Sequence, residues 1–227
     1  MVISDTHRFI FLRVPKNAST SLATFFVVNY CSSRDDVYTG IGDSRIQSKN
    51  IPQNVLNKYR QDYRFIHMTL NEILQNNLIS ESYARSCKTI GVLRDPFDRQ
   101  LSLYFFKKRG KGESSPDEFR EMFRNGYCED DSNNRILQSQ YLKIGDQSVG
   151  EWWLYEDLNQ HLEEFQREHS TGAAIDLPHY KSSFRKTFDK QKQIDYYYDD
   201  KTRNAVLDYF GDDVDLYQRL KSVRKET

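Results

Sequence analysis

The chain is poor in the features that mark several large protein classes. Its 227 residues contain three cysteines, Cys31, Cys87 and Cys128. These form neither a CxxC pair nor a metal-ligand spacing, which excludes a disulfide scaffold or zinc ribbon and reads as reduced thiols in a cytosolic protein. No metal site is expected. No apolar run approaches the roughly 20 residues needed to cross a bilayer. The opening "MVISDTHRFIF" lacks the basic start, long apolar centre and small-residue cleavage site of a secretory signal. The expected location is therefore cytoplasmic, with no membrane segment. Net charge is also missing, because 33 basic residues offset 33 acidic ones. Without a global field or a basic aromatic motif, nucleic acid is not an expected partner, and any anion site has to be built locally. Repeats and linker-like stretches are absent, so one domain over residues 1–227 is expected. Nothing in the sequence specifies an oligomeric state.

What is present is a core's worth of apolar surface, 37% hydrophobic and 14% aromatic residues, arranged as alternating strand and helix signals. "RFIFLRV" (residues 8–14) suits a buried parallel strand. After Ser19, Leu22, Phe25, Phe26 and Tyr30 recur at helical spacing and predict an amphipathic helix. Residues 32–62 read as polar surface loop with short helical pieces. "YRFIHMTL" (63–70) predicts a second strand ending near His67, followed by a helix, and "CKTIGVLR" (87–94) a third strand. In "DPFDRQLSLYFFKK", Asp95 caps a helix whose first residue is Pro96. "ESSPDEFREMF" starts another, with Ser115 as cap and Glu118 completing a capping box. "SNNRILQSQYL" reads as helix, "VGEWWLYEDL" as strand, "NQHLEEFQREH" as helix, and a last helical section begins near Lys201. This alternation predicts an α/β domain with a mainly parallel sheet and a ligand beyond the carboxyl ends of its strands.

The segment "FLRVPKNASTSL" (11–22) joins the first of those strands to its helix. A strand-to-helix turn aims several backbone N–H groups and the positive end of a helix dipole at one place, which suits an anion. Lys16 adds a cation, Ala18 lets the backbone approach, and Ser19, Thr20 and Ser21 add hydroxyl donors. The alternative is a plain capped turn, since Ser and Thr are common at helix starts. The two glycines of the usual nucleotide loop are missing. So is the hydroxyl residue directly after the lysine that holds magnesium in ATPases, and no strand ends in an unpaired aspartate to replace it. At the end of the third strand, Arg94, with Ser102 two turns into the next helix, can reach a single phosphate from adjacent sides. Arg99 is either a second phosphate contact or a solvated helix residue. The sequon Asn17-Ala18-Ser19 falls inside the loop, where a glycan would block it.

"VPKNASTS" followed some eighty residues later by "VLRDPFDRQLSLYF" resembles the paired motifs of sulfotransferases that use 3′-phosphoadenosine 5′-phosphosulfate (PAPS). "SSFRKTFDK" (182–190) is similar to the cofactor-covering loop of heparan-sulfate and related uronyl 2-O-sulfotransferases. The resemblance implies a three-layer, P-loop-NTPase-like α/β fold with a mainly parallel central sheet flanked by helices. It implies that Lys16, Asn17, Ala18, Ser19, Thr20 and Ser21 wrap the 5′-phosphosulfate, that Arg94 and Ser102 grip the 3′-phosphate, and that Arg185, Lys186 and Thr187 close over the nucleotide. A histidine after the second strand is the base in those enzymes, and "RFIHMTL" puts His67 in the matching position, with Lys16 as its catalytic partner. The implied reaction moves a sulfuryl group without a metal to an acceptor hydroxyl, on a saccharide by analogy, and releases adenosine 3′,5′-bisphosphate (PAP). Two alternatives stand beside it: a P-loop kinase or NTPase-like phosphotransferase, and a non-catalytic nucleotide-binding relative. His179 is a second base candidate, while His7, His161 and His169 read as surface residues. Of Trp152 and Trp153, adjacent on a strand, at most one can face a given pocket. Glu156 reads as a solvated carboxylate.

Overall fold

The computed structural model describes residues 1–31, 37–38, 46–47, 66–108, 114–125, 136–169 and 190–224. Among these, the elements in chain order are β1 (Val2–Ser4), β2 (Phe9–Leu12), α1 (Ser19–Tyr30), β3 (Val37–Tyr38), β4 (Ile46–Gln47), α2 (Leu70–Gln75), α3 (Glu81–Ser86), β5 (Lys88–Leu93) and α4 (Pro96–Lys108). They continue with α5 (Pro116–Arg124), β6 (Lys143–Ile144), β7 (Gln147–Ser148), β8 (Glu151–Leu154), α6 (Leu158–Glu168), α7 (Lys190–Tyr197) and α8 (Asp200–Val223). The chain groups into two compact units, Met1–Leu93 with Gln140–Tyr180 and Arg94–Ser139 with Lys181–Thr227.

The first unit holds a sheet of order β1-β2-β5-β8. β2, β5 and β8 run parallel, while β1 pairs antiparallel with β2 through a short turn. β1, with Val2 and Ile3 as its apolar residues, was too brief a run to register as a strand in the sequence. Side chains alternate across a strand, so Phe9, Phe11, Ile90, Val92 and Trp153 share one face. Leu22, Phe25, Phe26 and Tyr30 of α1 and Leu158, Leu162 and Phe165 of α6 close over it. The α1 residues expected to face inward do so. The helix is less amphipathic than its spacing suggested, because Ser19, Ser21 and Ala23 are buried as well. On the opposite face Gly91 leaves room for Trp152: a Cβ at that position would lie 2.8 Å from the indole.

Short strands β3 and β4 lie in the segment read as loop, β6 and β7 were not expected, and two predicted elements fold differently. Ile66 and His67 form a 3-10 turn rather than the end of a strand, and residues 63–65 lie outside the described ones. The β-forming composition there is overridden by Thr69, which caps α2 in a full capping box with Glu72. The "ILQSQYL" segment, read as helix, contains only a 3-10 turn at Gln138–Gln140. The N–H groups of Gln138 and Ser139 bond the carboxylate of Asp213 instead of an i−4 carbonyl.

The second unit is helical. Leu101 and Tyr104 of α4, Phe119 and Phe123 of α5, Tyr197 of α7, Tyr198, and Val206 and Phe210 of α8 make its core. Two caps follow the sequence signals, Phe97 N–H donating to Asp95 and Glu118 N–H to Ser115, and α8 gains a further one as Thr202 N–H donates to Asp199. Glu118, however, does not complete a capping box. Its carboxylate takes the Tyr104 hydroxyl and the Lys108 ammonium, which lies 2.6 Å away. In the "DYYYD" stretch, Tyr197 and Tyr198 pack inward, Tyr196 is exposed and Asp199 caps α8.

Candidate active site

The candidate site grows from the carboxyl ends of β2 and β5, which lie side by side in the first unit with Leu12 opposite Gly91. After β2 the chain makes a tight turn over residues 15–18. Lys16 (φ 69°) and Ala18 (φ 55°) are both left-handed, and Asn17 between them is not. Alternating handedness of this kind points successive N–H groups to one side and forms an anion-binding concavity. Ala18 occupies the N-cap of α1 and supplies no side-chain acceptor. The plain capped turn that the serines and threonine also suggested is therefore not what forms: Ser19, Thr20 and Ser21 lie within the first helical turn. Lys16 is half-buried beside them.

The turn is held from two sides. Asn17, fully buried, donates its side-chain N–H to the carbonyl of Val92 in β5 at 2.6 Å, so its side chain anchors the loop. Arg13, 2% exposed, donates from Nη2 to the Thr20 hydroxyl at 3.1 Å. The carbonyl of the same Arg13 is 2.5 Å from Nδ1 of the buried His67. A carbonyl only accepts, so Nδ1 carries the proton and Nε2 is the basic nitrogen of the neutral ring. Arg13 thus connects the histidine to the loop three residues before Lys16.

Arg94 and Ser102 belong to the second unit. Arg94 follows β5 directly in the chain. Its Nε bonds the Asp98 carboxylate at 2.6 Å in a buried pair. Asp98 is one turn along α4, and Ser102 is half-buried one turn further. Arg99 is fully buried, which removes the solvated-residue reading. Arg185, Lys186, Thr187 and His179 lie outside the described residues, as does Cys128; Cys31 and Cys87 are half-buried and form no disulfide among the described residues.

Arg13, Asp98, Gln138 and Asp213 were not singled out from the sequence. A usable signal existed for the first, since "FLRVP" and "VLRDP" both end a buried strand in Leu-Arg-x-Pro. The histidines needed correction as well. His161 is buried, lies parallel to the Trp153 ring and accepts the Leu154 N–H. His7 and His169 are half-buried and meet edge to face, with His169 against Phe165. Sequence spacing alone cannot tell a polar helix residue facing a strand from one facing water. Trp153 is core, and Glu156 is exposed as read.

Parallel strands that run into a left-handed, cation-bearing turn at a helix start define an α/β protein suited to phosphorylated or sulfated ligands. A family model described as the sulfotransferase family matches residues 1–218, and the chain belongs to that family. Comparison with curated proteins and with solved structures returned no match. Among the described residues, no helix is long and apolar enough to cross a membrane.

Proposed function

We propose that the protein is a PAPS-dependent sulfotransferase that moves the sulfuryl group to a hydroxyl of a carbohydrate acceptor, in line and without a metal, and that its two units act as one domain of P-loop-like topology. The family match across both units supports the single domain, and the likeness of its motifs to 2-O-sulfotransferases supports the saccharide. The observation that carries the mechanism is the bond from His67 Nδ1–H to the Arg13 carbonyl, because it leaves Nε2 as the proton acceptor at the root of the Lys16 loop.

In this reading the acceptor hydroxyl gives its proton to His67 Nε2 as its oxygen attacks sulfur. The bond between sulfur and the 5′-phosphate oxygen breaks, and PAP leaves with the electron pair. Charge grows on that departing oxygen. The Lys16 ammonium and the loop N–H groups then bind the transition state more strongly than the ground state. The 3′-phosphate is assigned to Arg94 and Ser102. Lys16 is not followed directly by a magnesium-binding hydroxyl, which favours sulfuryl over phosphoryl transfer.

Two measurements test the reading. PAP at a hundred times its dissociation constant should stabilise the fold by about 2.7 kcal/mol in a thermal-shift assay. Magnesium-ADP stabilising equally would favour the phosphotransferase. Radiolabelled sulfate should pass from PAPS to a saccharide panel with the parent protein and not with His67→Ala. Undiminished transfer in the variant would remove His67 from the mechanism.

A further inference from the structure

Arg94 lies between two elements, since β5 ends at Leu93 and α4 begins at Pro96. One side chain bonds both of its backbone groups. Gln138 accepts the Arg94 N–H at Oε1 (3.1 Å) and donates from Nε2 to the Arg94 carbonyl (3.0 Å). A carboxamide can pair in this way with both backbone groups of one residue, because it carries a donor and an acceptor side by side. Gln138 is held in turn. Its own N–H and that of Ser139 bond the two carboxylate oxygens of Asp213, each at 2.8 Å. Gln138 and Asp213 are both 0% exposed. Asp213 lies in α8 shortly after a break in the helix at Phe210, whose φ of −111° and ψ of 23° are non-helical. With Asp98 on Nε, both the backbone and the side chain of Arg94 are fixed before any ligand arrives.

We infer that Gln138 and Asp213 are positioning residues that hold Arg94 ready for a 3′-phosphate, so that the protein's preference for a 3′-phosphorylated nucleotide depends on a carboxamide 44 residues away and a carboxylate on the last helix. The inference rests on the assignment of Arg94 in the proposed function. A preorganised guanidinium binds without an ordering cost; a loosened one does not. The effect belongs to the 3′-phosphate alone, because the 5′ end is assigned to other residues.

The test is isothermal titration of PAP and of adenosine 5′-phosphate, which lacks only the 3′-phosphate, into the full chain. Arg94→Ala should weaken PAP and leave adenosine 5′-phosphate unchanged. Gln138→Ala and Asp213→Asn should follow the same pattern, with PAP weakened about tenfold and the preference between the two ligands narrowed by that factor. If either variant fails to fold by circular dichroism, Gln138→Glu replaces it, since it keeps the acceptor for the Arg94 N–H and loses the donor. Equal loss of both ligands would make Gln138 and Asp213 merely structural, and an unchanged preference would remove them altogether; either overturns the inference. If Arg94→Ala itself left the preference intact, the assignment of Arg94 would fall, and the inference with it.

Discussion

Lys16 combines a left-handed backbone with a half-buried basic side chain. Removing its side chain tests the electrostatic part. Lys16→Ala should lower kcat by on the order of 10²-fold or more, with a smaller effect on PAP affinity, as measured by steady-state transfer and titration. The backbone part is tested at Ala18, where φ is 55°. Ala18→Gly should raise stability by about 0.5–1 kcal/mol in urea unfolding and leave transfer intact, because glycine adopts this conformation without steric cost. At Asn17 the expectation reverses. Asn17→Ala abandons the Val92 carbonyl inside the protein and should cost about 1–3 kcal/mol. The loop's anion-binding composition was legible in the sequence, whereas Asn17's anchoring role was not, since Val92 is 75 residues away.

At the scale of elements, two glycines let β5 and β8 pack and should respond differently. Gly91→Ala places a methyl 2.8 Å from the Trp152 ring and 3.2 Å from Leu142, both side-chain atoms. The expected loss in urea unfolding is about 1–3 kcal/mol, as for other overpacked sites. Gly150 precedes β8 at φ 90°, and a Cβ there would lie 2.4 Å from the Thr89 carbonyl oxygen. Backbone cannot step aside as a side chain can, so Gly150→Ala should cost more than Gly91→Ala; equal losses would contradict this reading of the strand contact. Most elements were legible because their signals are local, as with Asp95-Pro96 and Ser115-Pro116 at helix starts. Of the segments misread, that around His67 yields to the local cap of α2 by Thr69, and that around Gln138 to bonds with Asp213, 75 residues away.

At the scale of the whole molecule, the charges balance, and acid should act through specific groups rather than through net repulsion. His169 is held below its ordinary value of 6.5, chiefly by burial and next by the neighbouring His7. Lys88 adds to the effect and Glu168 opposes it. The unfolded chain takes up this proton near 6.5 and the folded chain only at lower pH. Stability is therefore complete above 6.5 and declines as pH falls toward the folded value. Glu118, beside Lys108, and Asp199, bonded by Thr202, are both depressed below the ordinary carboxylate values of 4.5 and 3.8. Their stabilisation is present above those values and is lost in a second, more acidic decline. Urea unfolding at pH 7.5 and 5.5 should show the first decline in the parent and a reduced one in His169→Phe. An identical slope in both would shift the effect to other histidines.

The sequence by itself determined the class: an apolar strand, a lysine-bearing turn and a helix, repeated as strand, arginine and capped helix, belong to a sulfotransferase α/β chain. Those signals act over a few residues, through side-chain period, turn conformation and helix capping, and survive in any one-dimensional reading. Only the tertiary structure decided which ring nitrogen of His67 is basic, which buried groups brace Lys16 and Arg94, and that His161 belongs to the core. The bonds of His67 and Gln138 join partners far apart along the chain, 54 residues for His67 and Arg13 and 75 for Gln138 and Asp213, whereas His161 meets the Leu154 N–H only seven residues away, through the folding of α6 back onto β8. Burial makes such bonds obligatory, because a polar group removed from water must find a partner wherever the fold brings one near.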